Sequence, residues 1–337
     1  MKLFVLSVYI YLRGVFLATR HFSLSQQLER VRRAGPDHRS LYWWYNRRRL
    51  TDLMTAFLFL SPSLLLFGVF VYYALGFNIY LSFTSWNFLS ETKTFIGFAN
   101  FERMFSDQRF WRVVFNTFYY AVGSVTLSLI FGLALALLLN CQLPWRGFFR
   151  TLIFSPYVTT IAAISLLWIW IFDPRYGLIN YVLGLIGIEG PRWLTSTTWA
   201  MPALIIMNVW HTVGYCMVIY LAGLSAIPRD LHEAAAIDGA GRWAIFRYVT
   251  LPLLSPTTFF LVVTSLIGAL QVFDSVAVMT RGGPVDATKV FNYYIYEQAF
   301  AFFRAGYAAA VALVLFIMIL ALTAIQIHLS RRWVHYQ

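Results

Sequence analysis

Six long apolar stretches constrain the fold of this chain more than any other feature of its sequence. They cover residues 53–83, 113–140, 151–172, 199–227, 256–280 and 305–327. A hydrocarbon core of about 30 Å needs about 20 helical residues at 1.5 Å per residue, so each stretch can cross a bilayer. Because an open chain in lipid can satisfy its backbone hydrogen bonds only as helix, the sequence predicts an all-α polytopic membrane protein with six transmembrane helices.

The composition excludes a soluble globular protein. Of 337 residues, 60% are hydrophobic and only 12% are charged, whereas about a quarter of the residues in soluble domains are charged. The net charge of +12 does not indicate a nucleic-acid partner, because the basic residues lie mostly between the apolar stretches. Anionic membrane lipid is the simpler partner for them. The two cysteines, Cys141 and Cys216, offer neither a disulfide framework nor paired metal ligands.

The basic residues between the apolar stretches predict the orientation of the chain. Seventeen of the 26 lysines and arginines lie in the terminal segments and in the connections on the same side, and nine lie in the opposite connections. By the positive-inside rule, we expect both termini in the cytoplasm. The predicted organisation is a basic cytoplasmic segment at 1–52, a transmembrane domain at 53–330 and a cytoplasmic tail at 331–337. The apolar start at 3–18 is interpreted as an interfacial helix, with a cleaved signal peptide or a seventh span as alternatives.

Motifs for catalysis and nucleotide binding are missing from the sequence. None of the three lysines follows a glycine, so a phosphate-binding G-x-x-x-x-G-K-[ST] loop is impossible and any ATP must bind to another chain. His232-Glu233 could begin an H-E-x-x-H zinc site, but Ala236 occupies the second histidine position. The sequence therefore predicts no catalytic residue, no metal site and no cofactor on this chain.

The longest polar interruption between spans on the cytoplasmic side covers residues 227–256. Pro228 and Asp230 can begin a helix, because an aspartate near a helix start accepts from free backbone amides. Gly239 gives the backbone freedom for a sharp exit, and a second amphipathic helix is expected to start at Gly241 and to stop at Pro252. The sequence thus predicts a helix–turn–helix with an outer face of alanine methyl groups, which suits close approach by a partner protein.

Two stretches resemble the signatures of one family of membrane proteins. The segment EAAAIDGAGRWAIFRYVTLPLLSP, at 233–256, resembles the EAA loop of permeases of binding-protein-dependent ABC importers. The segment MTRGGPVDATKVFNYYIYEQAF, at 279–300, resembles the sugar-importer version of a second signature. Both occur in the expected order and separation, whereas residues 1–50 match no part of the family.

This resemblance implies a type I ABC importer permease fold with a coupling loop at 228–256 that docks on an ATPase. The implied function is that of a permease subunit of an ATP-driven importer, which moves a carbohydrate or a related polyol such as glycerol 3-phosphate by alternating access. A secondary transporter and a membrane-embedded enzyme stay open as alternatives. The residues implied in coupling to the ATPase are Glu233, Ala234, Ala235, Asp238, Gly239 and Pro252.

The resemblance also implies partners and a location. The partners are a second homologous permease, two ATPase subunits that hold ATP and Mg²⁺, and an extracytoplasmic solute-binding protein. The location is the cytoplasmic membrane of a bacterium or an archaeon.

Polar side chains inside spans four and five are the candidates for the solute path, because polar groups in lipid are costly and usually face an internal cavity. Asn208, Thr212 and Tyr215 recur at helical spacing and so share one face. The resemblance puts these three, together with Ser265, at solute-contact positions of the family. The full candidate set is Asn208, Trp210, His211, Thr212, Tyr215, Ser265, Gln271 and Asp274.

Each candidate also has a purely structural interpretation. Asn208 and Gln271 could form hydrogen bonds between helices, and Trp210 could serve packing alone. His211 could be a satisfied core histidine, and Asp274 fits a water-facing vestibule as well as a direct ligand. Weaker candidates on span two are Asn116, Thr117 and Tyr119.

Overall fold

The computed structural model describes residues 38–141 and 144–334. The chain divides into two compact units after Ala74, and the second unit, Leu75–Gln337, contains both candidate sites. In the first unit, helix α1 (His38–Phe67) passes into a π-helical turn at Gly68–Tyr73, and the apolar side chains of residues 53–67 are mostly exposed. The interfacial helix predicted at 3–18 lies outside the described residues.

The described part of the second unit is helical apart from one short hairpin. Strands β1 (Thr84–Ser85) and β2 (Thr94–Phe95) pair antiparallel, with Thr84 opposite Phe95. The helices before the coupling loop are α2 (Ala74–Ser82), α3 (Ala99–Ser106), α4 (Gln108–Asn140), α5 (Arg146–Val158), α6 (Ile161–Ile171), α7 (Leu178–Leu185) and α8 (Ala200–Ala226). The later helices are α9 (Arg229–Ile237), α10 (Arg242–Ile245), α11 (Leu251–Leu253), α12 (Ser255–Leu270), α13 (Asp274–Met279), α14 (Phe291–Tyr296) and α15 (Ala305–Trp333).

The membrane spans agree with the sequence prediction except in the shape of the third. Five helical stretches are long and apolar enough to cross a bilayer: Leu53–Ser82, Gln108–Asn140, Ala200–Ala226, Ser255–Met279 and Ala305–Arg331. The third predicted span is not one helix, because α5 and α6 meet at an angle of 101°. Thr159 and Thr160, between them, have extended backbone. Counted with this bent pair as one span, the number of spans is the predicted six.

Three helical prolines each follow a serine whose hydroxyl donates to the carbonyl four residues before the proline. Proline has no backbone N–H, so the carbonyl four residues earlier loses its donor. Each preceding serine supplies one instead. The hydroxyl of Ser61, before Pro62, donates to the Leu58 carbonyl at 2.9 Å; the hydroxyl of Ser155, before Pro156, donates to the Leu152 carbonyl at 3.1 Å; and the hydroxyl of Ser255, before Pro256, donates to the Pro252 carbonyl at 2.6 Å. For Pro62 and Pro156, which lie inside their helices, the serine hydroxyl takes the place of the lost donor where water cannot. Pro256 lies in the first turn of α12, where no intrahelical donor is lost.

Glycines let α8 approach its neighbours closely. A Cβ on Gly132 of α4 would lie 2.5 Å from the Cβ of Cys216, and a Cβ on Gly214 would lie 2.2 Å from the backbone oxygen of Ile153 on α5. The buried side chains around these contacts form one apolar cluster along α4, α8 and α12 that reaches Leu254. Helix α8 is therefore the central element of the unit, held between α4 and α5.

Candidate solute path and coupling surface

A cavity of about 320 Å³ lies between α4, α5, α8, α12 and α13. Seven of the eight predicted solute-path residues line it: Asn208, His211, Thr212, Tyr215, Ser265, Gln271 and Asp274. Its volume is at the lower end of the range for small-molecule sites, which is about 300–1,000 Å³. Helical periodicity explains the α8 contribution, because residues three and four apart fall on one face.

Hydrogen bonding differs among the polar groups of this cavity. The Thr212 hydroxyl donates to the Asn208 carbonyl at 2.8 Å and lies 2.8 Å from the Ser128 hydroxyl of α4. Since Thr212 has one proton, Ser128 must donate to it. By contrast, within 38–141 and 144–334, the side chains of Asn208 and Gln271 make no hydrogen bond that would tie helices together. Both amides therefore stay available to a solute or to water.

Some polar atoms of the cavity wall are buried without a partner. Both ring nitrogens of His211, the hydroxyl of Tyr120 and the Oγ of Ser275 are buried and meet strict hydrogen-bond geometry with no group in the described part of the chain. Tyr120 and Ser275 nevertheless lie close enough to interact with each other, and His211 lies close to the backbone of Thr159. All three residues line the cavity. Leaving such a buried group unpaired costs about 1–3 kcal/mol. A polar occupant of the cavity that paired with these groups would recover that cost.

Tyrosines form one wall of the cavity. The ring of Tyr157, near the end of α5, stacks on Tyr215 of α8 with centroids 4.8 Å apart and planes 17° apart. Tyr157 also lies 5.5 Å from the imidazole of His211. The bend after α5 lets the chain leave directly beyond Tyr157, so that its side chain can face α8. Flat aromatic faces beside amide and hydroxyl groups suit a solute that is polar at its edges and apolar on its faces.

The remaining candidates lie elsewhere. Trp210 is outside the cavity and packs edge-to-face on Trp168, with centroids 5.6 Å apart. Of the weaker candidates, Asn116 donates to the backbone oxygens of Asp286 and Lys289 at 2.8 and 3.1 Å, and therefore holds the loop after α13. Two others, Thr117 and Tyr119, do not line the cavity either: Thr117 accepts from the Phe291 N–H at 3.1 Å, and Tyr119 stacks on Phe115.

The loop between α13 and α14, residues 280–290, contains a buried lysine with two acidic partners, one in the loop and one directly after α14. The Lys289 ammonium lies 2.8 Å from Asp286 and 2.7 Å from Glu297. Burial lowers the pKa of Lys289, but the hydrogen bonds and charges of the two carboxylates outweigh burial, so that its pKa is raised. The lysine stays charged and joins the loop to the segment that follows α14.

The predicted coupling surface is an exposed helix–turn–helix. Helix α9 begins directly after Pro228 with Asp230 in its first turn, as predicted. Gly239 has φ +82°, a conformation that favours glycine, and the N–H of Ala240 closes the turn on the Ala235 carbonyl at 3.0 Å. Of the six predicted coupling residues, the exposed ones are Glu233, Ala234, Asp238 and Gly239. Ala235 and Pro252 are half-buried.

The second helix of this surface differs from the prediction. We expected Pro252 to stop it, but the chain continues from α10 through a π-helical turn at Phe246–Thr250 into α11, where Pro252 lies. In this π-helical turn, the Leu251 N–H donates to the Phe246 carbonyl, five residues earlier. The next residue, Pro252, has no N–H to donate. Pro252 is thus a residue inside the helical stretch, not its end. The outer side of the loop is apolar as well as small, because Ile237 is 86% exposed.

Comparison with known proteins identifies the family. Residues 128–335 match the family described as the binding-protein-dependent transport system inner membrane component. The chain is 35% identical to the sulfoquinovosyl glycerol transport system permease protein of Agrobacterium fabrum, over 88% of this chain and 96% of that protein. It is 36% identical to the lactose transport system permease protein of Rhizobium radiobacter, over 82% of this chain and 94% of that protein.

The chain belongs to this family. It is a multi-pass membrane permease of an ABC transporter and not an enzyme, as its relatives are named. A solved structure agrees: a bacterial ABC transporter involved in the import of the acidic polysaccharide alginate matches with a TM-score of 0.72 and 27% identity, over 86% of this chain and 99% of that chain. The fold of the permease is therefore the predicted all-α type I importer fold.

Several residues that line the cavity of the permease were not predicted from the sequence. Ser124 and Ser128 of α4 line the cavity, and their spacing of four in an apolar helix was a signal for a shared polar face. Tyr120 and Tyr157 gave no such signal, because single tyrosines are common in spans. In the described part of the permease, no group of three or more His, Cys, Asp or Glu side chains is arranged to hold a metal ion.

Proposed function

We propose that this permease is the membrane subunit of an ATP-driven importer for a carbohydrate, or for a related polyol derivative such as glycerol 3-phosphate. The observation that carries the proposal is the cavity between α4, α5, α8 and α12. It combines unpaired amides at Asn208 and Gln271 with unpaired buried groups at His211 and a stacked pair of tyrosines. A sugar offers many hydroxyls that both donate and accept, and its ring faces pack on aromatic rings, so it matches both kinds of group. The small volume favours a solute of about one or two sugar rings.

The proposed coupling runs through α8. The same helix presents Asn208 and Tyr215 to the cavity and ends at Ala226, so that two residues separate it from α9. From Tyr215 to Ala226 is about 17 Å at 1.5 Å per residue. Movement of a docked ATPase at Glu233 and Gly239 would therefore be transmitted to the cavity by a continuous helix. The chemistry of ATP hydrolysis takes place on that partner, which binds the nucleotide and Mg²⁺.

The proposed assembly contains a second homologous permease, two ATPase subunits and an extracytoplasmic solute-binding protein. A solved alginate transporter in complex with an alginate pentasaccharide-bound periplasmic protein, 26% identical over 86% of this chain, supports the last of these partners. The excess of basic residues in 1–52 supports a cytoplasmic N terminus. In this arrangement the coupling loop at 228–256 and both termini face the cytoplasm.

Uptake assays with a panel of labelled solutes test the proposal. The transporter is expressed in cells that lack it, and uptake is normalised to assembled complex. Asn208→Ala removes a side chain from the cavity, whereas Val218→Ala shortens an exposed side chain of the same helix. A lost hydrogen bond with its partner left buried costs about 1–3 kcal/mol, which is roughly ten- to a hundredfold in uptake at limiting solute. Equal uptake by both variants, or transport confined to amino acids or peptides, would refute the proposal.

A further inference from the structure

Two adjoining cavities lie at the end of the spans opposite the coupling loop. They have volumes of about 190 and 270 Å³ and share three residues, Arg103, Arg304 and Tyr307. The smaller cavity is also lined by Arg109 and Gln298. It lies where α4 and α15 begin, whereas the other end of α4, at Asn140, lines the groove beside α9.

The smaller cavity is strongly basic. Within 38–141 and 144–334, its three arginines form no ion pair, since both ion pairs of that part involve Lys289. The guanidinium of Arg103 instead lies 5.6 Å over the ring of Tyr307, and that of Arg304 lies 5.6 Å over the ring of Phe302. One acidic residue, Asp107, lines the cavity, and its carboxylate accepts from the Arg109 N–H and from the Tyr294 hydroxyl at 2.8 and 3.5 Å. Three positive charges thus face one negative charge, beside the positive ends of two long helices.

A buried amide in the same cavity has an unused acceptor. Gln298 is only 5% exposed, and its Oε1 makes no hydrogen bond in the described part of the chain. A carboxylate or a phosphodiester alone cannot satisfy this oxygen, because neither has a proton to donate at neutral pH. A ligand that carried both an anionic group and a hydroxyl would pair with the arginines and with Gln298 together.

The surroundings of the cavity indicate membrane headgroups and not free solution. Phe302 lines the smaller cavity and Phe303 the larger one, while Phe105 and Trp111 each lie two residues along the chain from a lining residue, Asp107 and Arg109. All four aromatic side chains are about half exposed. The indole N–H of Trp111 donates to the Phe105 carbonyl at 2.9 Å, so that its ring is fixed at the helix start. Exposed aromatic side chains at the ends of spans mark the interface where lipid headgroups lie.

We propose that this cavity binds the phosphoglycerol headgroup of an acidic phospholipid. The phosphate lies among Arg103, Arg109 and Arg304, and a glycerol hydroxyl donates to Oε1 of Gln298. The lipid thereby connects the first turns of α4 and α15. A free phosphoglycerol has the same chemistry, and the position of the site at the membrane interface favours the lipid.

Lipid binding to the purified full-length chain tests this site. The delipidated protein is titrated with phosphatidylglycerol, phosphatidic acid or phosphatidylcholine of matched acyl chains, and bound lipids are counted by native mass spectrometry. We expect phosphatidylglycerol to bind at least about tenfold more tightly than phosphatidylcholine. Both lipids carry the same anionic phosphodiester, but the three arginines repel the choline cation, and choline offers no hydroxyl to Gln298. Arg103→Gln combined with Arg304→Gln should reduce this preference severalfold. Arg192→Gln removes an exposed arginine from another loop and should keep it.

A second variant and a soluble competitor separate the possible outcomes. Gln298→Leu should weaken the binding of phosphatidylglycerol and leave the binding of phosphatidic acid, which lacks the glycerol hydroxyls of the headgroup, nearly unchanged, while both still exceed phosphatidylcholine. Equal binding of phosphatidylglycerol and phosphatidylcholine by the unmodified chain, or an unchanged preference in the double arginine variant, would overturn the site. Displacement of phosphatidylglycerol by millimolar glycerol phosphate would assign the site to a soluble anion and would overturn the proposal that a lipid binds there.

Discussion

The contact between Gly214 and α5 gives the sharpest prediction about how the cavity wall is held. A Cβ at position 214 would lie 2.2 Å from the oxygen of Ile153 and 2.7 Å from the Cα of Phe154, both of them backbone atoms. Ordinary contact begins near 3.4 Å, so in Gly214→Ala helix α5 must retreat by about 1 Å. Because Tyr157 is on α5, the same movement loosens its stack on Tyr215.

The expected loss of stability of Gly214→Ala is about 1–3 kcal/mol, the usual cost of overpacking. Gly147→Ala is the matched control, since Gly147 lies on α5 itself and a Cβ there would meet nothing within 4 Å. Within a helix, alanine is favoured over glycine by up to about 1 kcal/mol. The two variants should therefore change stability in opposite directions.

The assay is thermal melting of the detergent-solubilised protein, followed by uptake per assembled complex. Gly214→Ala should melt below the unmodified chain and transport less, and Gly147→Ala should melt at or above it. If Gly214→Ala melted and transported like Gly147→Ala, the close approach of α8 to α5 would not support the cavity, and the reasoning would fail.

Three further predictions concern the loops and the orientation. Lys289→Met leaves two carboxylates without their cation and should destabilise the protein by about 2–3 kcal/mol. Because the pKa of Lys289 is raised, the lysine stays charged up to alkaline pH, and the difference in melting temperature between the unmodified protein and Lys289→Met should stay constant from pH 7 to 9. Gly239→Val strains a backbone with φ +82° and should reduce ATPase association in pull-down assays, whereas Gly241→Ala, at φ −68°, should not. Reporter fusions after Arg49 and at the C terminus should report a cytoplasmic location, and a fusion in loop 84–112 an extracytoplasmic one; an extracytoplasmic signal at either terminus would refute the orientation.

Features that follow from periodicity could be predicted from the sequence. The spans required only their length and apolar character, and the shared face of Asn208, Thr212 and Tyr215 required only the helical repeat. The helix–turn–helix at 229–253 followed from local preferences, such as the glycine at φ +82°. These features are local along the chain, so that no knowledge of packing was needed.

Features that depend on packing could not be predicted. The 101° bend between α5 and α6 has no sequence signature of its own, because a proline such as Pro156 is tolerated in straight spans when a serine replaces its donor. The position of Trp210 outside the cavity depends on how α8 is rotated against α6. Lys289 pairs with Asp286, three residues away in the loop 280–290, and with Glu297, eight residues away beyond α14, and the path of this segment was not predicted.

Solute protection of a cysteine in the cavity tests the central claim most directly. Gly268 lines the cavity, and a side chain there would meet nothing within 4 Å. Gly268→Cys is made with the exposed Cys141 changed to serine, and Arg192→Cys, at an exposed position in the connection before α8, is the control in the same background. We predict that a hydrophilic maleimide labels both variants, and that the transported solute slows the labelling of Gly268→Cys but not that of Arg192→Cys. Labelling of Gly268→Cys at the same rate with and without saturating solute would contradict the account.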